Sequence, residues 1–350
     1  FTRANRRMHN KSFTVDNSIT IVGGRNIGEE YFELDQDVKF DDYEVLALGP
    51  VVGQVSAGFD EFWNSELSVP MKAFGIKVDP EELDEWREYI REHTEGNQNH
   101  LYMQAINSSF MTDIREGRIE AAVADATMIT DHPDKLLTEV GDEELATLAV
   151  EIGRRFRDAR DEIIIITPYF VPQEAGTVLI EELLAKGLRV VIVTNSLAST
   201  NHLPVHSAYA RYRKRLLRAG AEFWEIRARG SNEENEWGYR PELVTLHSKA
   251  TIIDRDTIFI GSLNFDPRSL LINTEMGLFV EHAELGSEFT DGVMEDLPKA
   301  AYQVKLNDDG ELRWVYEYDA VKERYKKEPQ TTFWRRFNAQ LMRLAPAGQL

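Results

Sequence analysis

The sequence predicts an α/β protein assembled from a duplicated half, with the first copy incomplete. Three observations carry that expectation. A pattern of His, Lys, Asp, Gly and Asn occurs twice, at His9, Lys11, Asp16, Gly23 and Asn26 and at His247, Lys249, Asp254, Gly261 and Asn264, every matched pair 238 residues apart. That interval is too long for a solenoid unit and suits a repeated half-domain. Residues 163–226 alternate apolar runs with amphipathic ones, the rhythm of strand, helix, strand that builds a parallel sheet. The second copy is preceded by such strands, near Ile163, Val190 and Phe223, whereas only eight residues precede His9. A first half without those neighbours leaves an unpaired strand edge at His9. The expected result is fewer strands in that half, a sequence truncated at its N-terminus, and no activity until it is extended.

Taken in order, Phe13–Val15 and Ile19–Val22 read as strands around the turn Asp16-Asn17-Ser18, whose side chains bond nearby backbone. Arg3, Arg6 and Arg7 fit either a phosphate contact or a solvated basic cluster. Tyr43–Gly49 reads as a strand and Phe59–Trp63 as part of a helix. Pro80–Glu92 is a charged helix with a packing face of Leu83, Trp86 and Ile90. His93 and His100 flank a polar loop, and Glu120–Met128 is another strand. The second half opens with a helix, Glu143–Ala159. It continues through strand 163–166, helix Glu174–Lys186 and strand 190–193, then one helix, Pro204–Ala219, and a strand at Phe223–Ile226. An acidic, mobile loop at 230–239 precedes the second motif, Asp266 caps the turn after it, and Met276–Val280 is a strand. The expected division is 1–135, 140–305 and a C-terminal extension 306–350. In that extension Leu312–Tyr318 alternates like an edge strand.

Within each motif, residues two apart on a strand share a face, so His9 points with Lys11 and His247 with Lys249. The aspartates have the opposite parity, which gives Asp16 and Asp254 a structural role in their turns. The glycines let backbone approach closely and present Asn26 and Asn264 beside the His-Lys faces. Imidazole, ammonium and amide together suit an anionic phosphorus centre: His attacks, Lys holds phosphoryl oxygens, and Asn donates to them. Two copies supply both a nucleophile and a general acid. Each imidazole needs an orienting acceptor, and Asp37 and Glu275, both 28 residues beyond their motif's His, suit that role. The lysines supply the positive charge, so no metal or other cofactor is expected.

Paired H-x-K-x4-D motifs resemble the phospholipase D superfamily, whose two motifs meet across a pseudo-twofold axis to form one site. The runs Asn5–Asp16, Gly23–Glu30, Thr167–Pro172 and Gly261–Met276 resemble bacterial cardiolipin synthases of the C type. The resemblance covers most of the chain. It implies a duplicated α/β sandwich and phosphatidyl transfer through a phosphohistidine, with His9 as the nucleophile. It also implies phospholipid partners and peripheral attachment to the cytoplasmic face of a bacterial membrane. Ser262 is assigned to the substrate. Tyr169, at the carboxyl end of a strand, is a headgroup or acyl contact or else packing. His206, on a helix face with Tyr209 and Arg213, is a headgroup contact or else a solvent-facing side chain.

A formal net charge of −20 disfavours nucleic-acid binding, which depends on neutralising phosphate. Zero cysteines exclude disulfides and thiolate chemistry. Hydrolysis of the same phosphohistidine, a nuclease-type reaction and a non-catalytic lipid-binding role remain as alternatives, the last opposed by two complete motifs. Against the acidic background, Thr331–Leu344 carries Phe333, Trp334, Phe337, Leu341 and three arginines with no acid. It reads as a helix lying in a membrane interface or as one docked on the core.

Overall fold

The structure is a computed structural model that describes residues 5–343 except 33, 36, 76, 78, 98–106, 120, 139–143 and 229–242, with 93–97 as backbone only. His100, the side chain of His93, the loop at 230–239 and the expected helix or strand ends Glu120, Glu143 and Leu344 lie outside the described residues. The chain forms two compact units, residues 64–123 and all the rest.

In the larger unit the first motif builds β1 (Ser12–Val15) and β2 (Ile19–Gly23), followed by β3 (Val38–Asp41), β4 (Glu44–Leu48) and helix α1 (Pro50–Trp63). The smaller unit holds α2 (Pro80–Asn97) and α3 (Ser109–Arg115). Leu83, Trp86 and Ile90 of α2, expected to pack, are exposed. The larger unit resumes with β5 (Asp125–Thr130), α4 (Thr147–Asp158), β6 (Glu162–Ile166), α5 (Gln173–Ala185) and β7 (Arg189–Asn195). Then come α6 (Leu203–Tyr209), α7 (Arg213–Ala219), β8 (Glu222–Ile226) and β9 (Leu243–Leu246). The second motif makes β10 (Ala250–Ile253) and β11 (Thr257–Gly261), followed by α8 (Pro267–Leu271) and β12 (Met276–Glu281). Helix α9 (Ala283–Ala300) leads to β13 (Ala301–Leu306), β14 (Leu312–Tyr318), β15 (Val321–Tyr325) and α10 (Phe333–Met342).

Ten strands form one mixed sheet in the order β15-β14-β13-β8-β7-β6-β10-β11-β12-β5. Within it β6, β7 and β8 are parallel neighbours joined by helical crossovers, and the other neighbouring pairs are antiparallel. The centres of β6 and β7 are continuous apolar runs: Ile163–Ile166 are all buried, each contributing about 1.5–3 kcal/mol relative to exposure. The single helix expected over Pro204–Ala219 is two short ones, α6 and α7, and His206, Tyr209 and Arg213 are all buried. Strand β14 is not an edge, since β15 pairs outside it; the charged residues of Val321–Tyr325 hide that strand in the sequence.

The repeat is visible in the register. Ser12 faces Val22 and Val15 faces Ile19, while Ala250 faces Ile260 and Ile253 faces Thr257, the same pairs at the same offset. Both hairpins turn through two left-handed residues, Asp16 and Asn17 in one, Asp254 and Arg255 in the other. The copies differ at their outer edges. Strand β10 is paired on both sides, by β11 and β6. Strand β1 pairs only with β2 among the described residues, in a three-stranded sheet β1-β2-β4, and Phe13 is 68% exposed. The two sheets share a core of Val22, Val51, Val55, Met128, Met276, Leu278 and Val280.

Gly261 faces Gly277 across the β11–β12 ladder, and a Cβ at Gly261 would stand 2.3 Å from the Met276 carbonyl. Gly53, on an exposed stretch of α1, has nothing within 4 Å. Gly261→Ala should therefore destabilise by about 1–3 kcal/mol, whereas Gly53→Ala should stabilise by about 0.5–1 kcal/mol, as read by urea unfolding.

Candidate active site

The two motifs are brought together by pairing between distant segments. Met8 bridges Thr274, and the His9 amide donates to the Thr274 carbonyl at 3.0 Å. His9 is thereby laid beside Glu275, whose Oε2 lies 2.8 Å from His9 Nδ1. On the other side, β3 runs parallel to β9, and the His247 amide donates to the Asp41 carbonyl at 2.7 Å. Asp42 follows, and its Oδ2 lies 2.7 Å from His247 Nδ1. Each imidazole is thus held by a carboxylate from the opposite half. Both carboxylates are fully buried; the His9 side chain is 26% exposed and that of His247 8%.

This corrects the expectation for Asp37. It is exposed, and its backbone carbonyl merely accepts from Leu243. The physical reason is an insertion. Gly23 faces Glu44, while its counterpart Gly261 faces Gly277, so the first copy carries five extra residues between its motif and the following strand. Asp42 stands two residues before Glu44 just as Glu275 stands two before Gly277. A fixed interval of 28 could find only the second.

Around Glu275 the hydrogen-bond set is dense. Ser262 Oγ donates to Oε2 at 2.5 Å, and the Glu275 amide donates to Asp131, itself paired with buried Lys135 at 2.7 Å. The counterpart of Ser262 is Gly24, where the Asp42 carboxylate occupies the place a Cβ would take, 2.7 Å away. The Asn195 amide both donates to and accepts from the Leu246 backbone, fixing the residue ahead of His247. Asp42, Asp131, Lys135 and Asn195 were not found from sequence, because nothing local distinguishes them from ordinary turn or strand-end polar residues.

Lys249 Nζ donates to the His247 carbonyl and lies 3.3 Å from Nε2; Lys11 Nζ donates to the His9 carbonyl at 2.8 Å. Burial pushes the ammonium of Lys249 down to about 7 and that of Lys11 down to about 8, against the pull of Asp42 and Glu275, which act on both. Lys11 also acts on His247, so both motifs share one electrostatic site. Burial likewise lowers His247 to about 4 even though Asp42 favours its charged form. Neutral, and donating its Nδ1 proton to Asp42, His247 presents a lone pair at Nε2. There it meets the hydroxyl of buried Tyr31 at 3.3 Å.

Asn26 is exposed and donates to the Tyr31 hydroxyl at 2.7 Å. Asn264 is buried; its amide nitrogen reaches Ser269 at 3.4 Å and its Oδ1 has no partner among the described residues. Asp254 accepts backbone hydrogen bonds from Arg160, Asp161 and Glu162, bracing the entry to β6, whereas Asp16 is exposed. Tyr169 is half-buried, donates to Asn201 at 3.0 Å and is pushed up to about 12 by burial, with the Tyr31 and Asp266 charges acting on it. His206 is neither solvent-facing nor beside the motifs: it packs edge-on against Tyr209, 4.0 Å from Glu328.

Replacing Asp42 with Asn should lower kcat by roughly 10²–10⁴-fold through loss of the imidazole's orientation, while Asp37→Asn leaves it unchanged, as steady-state kinetics would read. The depressed His247 value sets a second expectation. Its contribution to stability is complete above pH 6.5 and is lost as pH falls through about 4. Urea unfolding of His247→Asn across that window should show a flatter acid limb than the parent.

A family profile described as a cardiolipin synthase, phospholipase D-like domain matches residues 152–296. The chain is 35% identical to cardiolipin synthase C of Escherichia coli over its whole length, covering 74% of that protein. It is 29% identical to an uncharacterised protein of Helicobacter pylori, again over the whole chain and 68% of the relative. Among solved structures it is similar to a phosphatidylserine synthase of Haemophilus influenzae, with a TM-score of 0.51 and 15% identity over 85% of this chain and 62% of that one. Two duplicated motifs in one register and a full-length likeness of this strength have one meaning: the chain belongs to the cardiolipin synthase family of phospholipase D-like proteins.

Proposed function

We propose that the paired motifs form a phosphatidyltransferase centre that makes cardiolipin from phosphatidylglycerol and a second phospholipid, phosphatidylglycerol or phosphatidylethanolamine. The observation that carries this reading is the exchange of carboxylates, which ties two histidines and two lysines from separate halves into one cluster. His9, the more exposed imidazole, attacks the donor phosphorus through Nε2 while Glu275 holds its Nδ1 proton. The bond from phosphorus to the headgroup oxygen breaks, and His247 delivers the proton to that oxygen. Its low proton affinity in the free site rises when an anionic phosphodiester is beside it. The phosphohistidine is then attacked by a glycerol hydroxyl of phosphatidylglycerol. Neutral His247 takes the hydroxyl proton, the phosphorus–nitrogen bond breaks, and His9 is regenerated.

Lys11 and Lys249 hold the phosphoryl oxygens, and the anion in turn keeps both protonated at neutral pH. Turning the Asn264 amide over lets Ser269 donate to Oδ1 and frees the nitrogen for a phosphoryl oxygen. Asn26 and Tyr31 close the opposite side. The enzyme works as a peripheral protein at a bacterial membrane; among the described residues no helix is long and apolar enough to cross one. Hydrolysis differs only in that water replaces the glycerol hydroxyl.

Incubating the enzyme with each lipid alone and in pairs, and weighing the products by mass spectrometry, tests the reading. Cardiolipin supports it, and phosphatidic acid alone supports hydrolysis instead. His9→Ala and His247→Ala should each remove turnover, with a loss beyond roughly 10⁴-fold, since the covalent step needs both groups. Half the activity remaining in each single variant would show two independent centres.

A further inference from the structure

Beyond the motifs, the C-terminal helix α10 roofs a cavity of about 750 Å³ whose other walls come from α7, the start of β14 and the segment after β15. Seven of its fifteen lining residues are Lys or Arg and two are acidic, in a chain where acidic side chains outnumber Lys and Arg by 60 to 40. Both acids are engaged: Glu328 pairs with Arg213 at 3.3 Å and Glu311 with Arg313 at 2.7 Å. Lys214, Lys326, Lys327 and Arg343 have no carboxylate within ion-pair distance among the described residues. The Arg343 Nε is buried without a hydrogen-bond partner among them. Burial and the charge of Arg213 both depress the Arg343 guanidinium, against the pull of Glu328. Lys326 and Lys327 are solvated and Glu311 reaches Lys214 and Lys326 only at longer range, so the excess of cations over acids leaves the cavity positive and favours an anion there.

The surroundings indicate what carries that anion. Helix α10 is fastened from below, with Ala339 buried and Arg335 donating to the Leu197 and Thr200 carbonyls at 2.6 and 2.7 Å. Its other side shows Phe333, Trp334, Phe337 and Leu341 to solvent, between 49% and 68% exposed. No acidic residue follows Glu328 in the sequence. A free phosphate would use the cations and leave the aromatic side uncovered. A lipid uses both, placing phosphate among the cations and interfacial aromatics at headgroup level.

We propose that this cavity holds the phosphate of an anionic phospholipid while the aromatic side of α10 lies in the bilayer interface. It is an attachment site separate from the catalytic pair. Strand β14 is five places from β10 in the sheet, about 24 Å at the usual strand spacing. The inference rests on the reading above only in requiring that the protein works at a membrane.

The test compares the parent with the triple variant Lys326→Gln, Lys327→Gln, Arg343→Gln, none of whose side chains touches the motifs. Sedimentation is measured with phosphatidylcholine vesicles containing or lacking phosphatidylglycerol, and turnover is measured on a short-chain phospholipid dissolved as monomers. The parent should bind only the anionic vesicles, and the variant should lose on the order of a hundredfold in vesicle affinity, about fivefold per removed charge. Its turnover of the dissolved lipid and its unfolding transition should match the parent. Loss of vesicle binding remains supporting even if neither protein turns over lipid, an outcome that bears on the catalytic centre alone. Unchanged vesicle binding by the variant overturns the proposal, as does parental binding indifferent to lipid charge. Saturation of the cavity by inorganic phosphate, with vesicles unbound, would assign it to a soluble anion.

Discussion

The exchange of orienting carboxylates between halves is the constraint on which the rest of this architecture depends. A histidine can be held in one tautomer by any nearby acceptor, yet here neither motif supplies its own. Glu275 must be carried from the second half to His9, and Asp42 from the first half to His247. That requirement explains the irregular pairings that would otherwise look incidental: the bridge of Met8 to Thr274 and the short parallel pair of β3 with β9. Both are backbone ladders whose only shared consequence is to bring a carboxylate to an imidazole across the internal boundary.

The cost of the arrangement falls on the lysines. Burial depresses the proton affinity of Lys249, Lys11 and His247, and the buried carboxylates of Asp42 and Glu275 oppose it at the lysines. The centre is therefore short of negative charge in the free protein. The acidic exterior of the chain is consistent with this economy, because charge on the solvent face is screened within about 10 Å and leaves the buried site to its own balance.

Much of this was legible in the sequence, and for identifiable reasons. The hairpin registers could be read because turn residues and strand parity are local, so the copies at Ser12–Gly23 and Ala250–Gly261 match residue for residue. Glu275 could be read because its distance from His247 is carried by one uninterrupted stretch. Asp42 could not, since five inserted residues moved it and Asp37 stood at the expected interval. Tyr31 and Asn195 were equally hidden, since each reaches the second motif across fifty or more residues, and Lys135 acts through Asp131, whose own partner Glu275 is 144 residues away. The break between α6 and α7 escaped notice because Ala210–Tyr212 contains neither glycine nor proline, and burial of Arg213 against Glu225 decides the bend. The tail helix was foreseen as either interfacial or docked. It is docked by Ala339 and Arg335 and bares its aromatic side all the same.

The small difference between Ser262 and Gly24 has a larger meaning. Two identical copies of one half, assembled as a symmetric pair, would present two indistinguishable imidazoles, each as ready as its twin to be modified and each as poor at remaining in reserve. Joining the copies in a single polypeptide removes that symmetry. One carboxylate can keep a hydroxyl donor while the other loses it, and a tyrosine can guard one ring and not the other. Division of labour between the twins then becomes heritable, one substitution at a time.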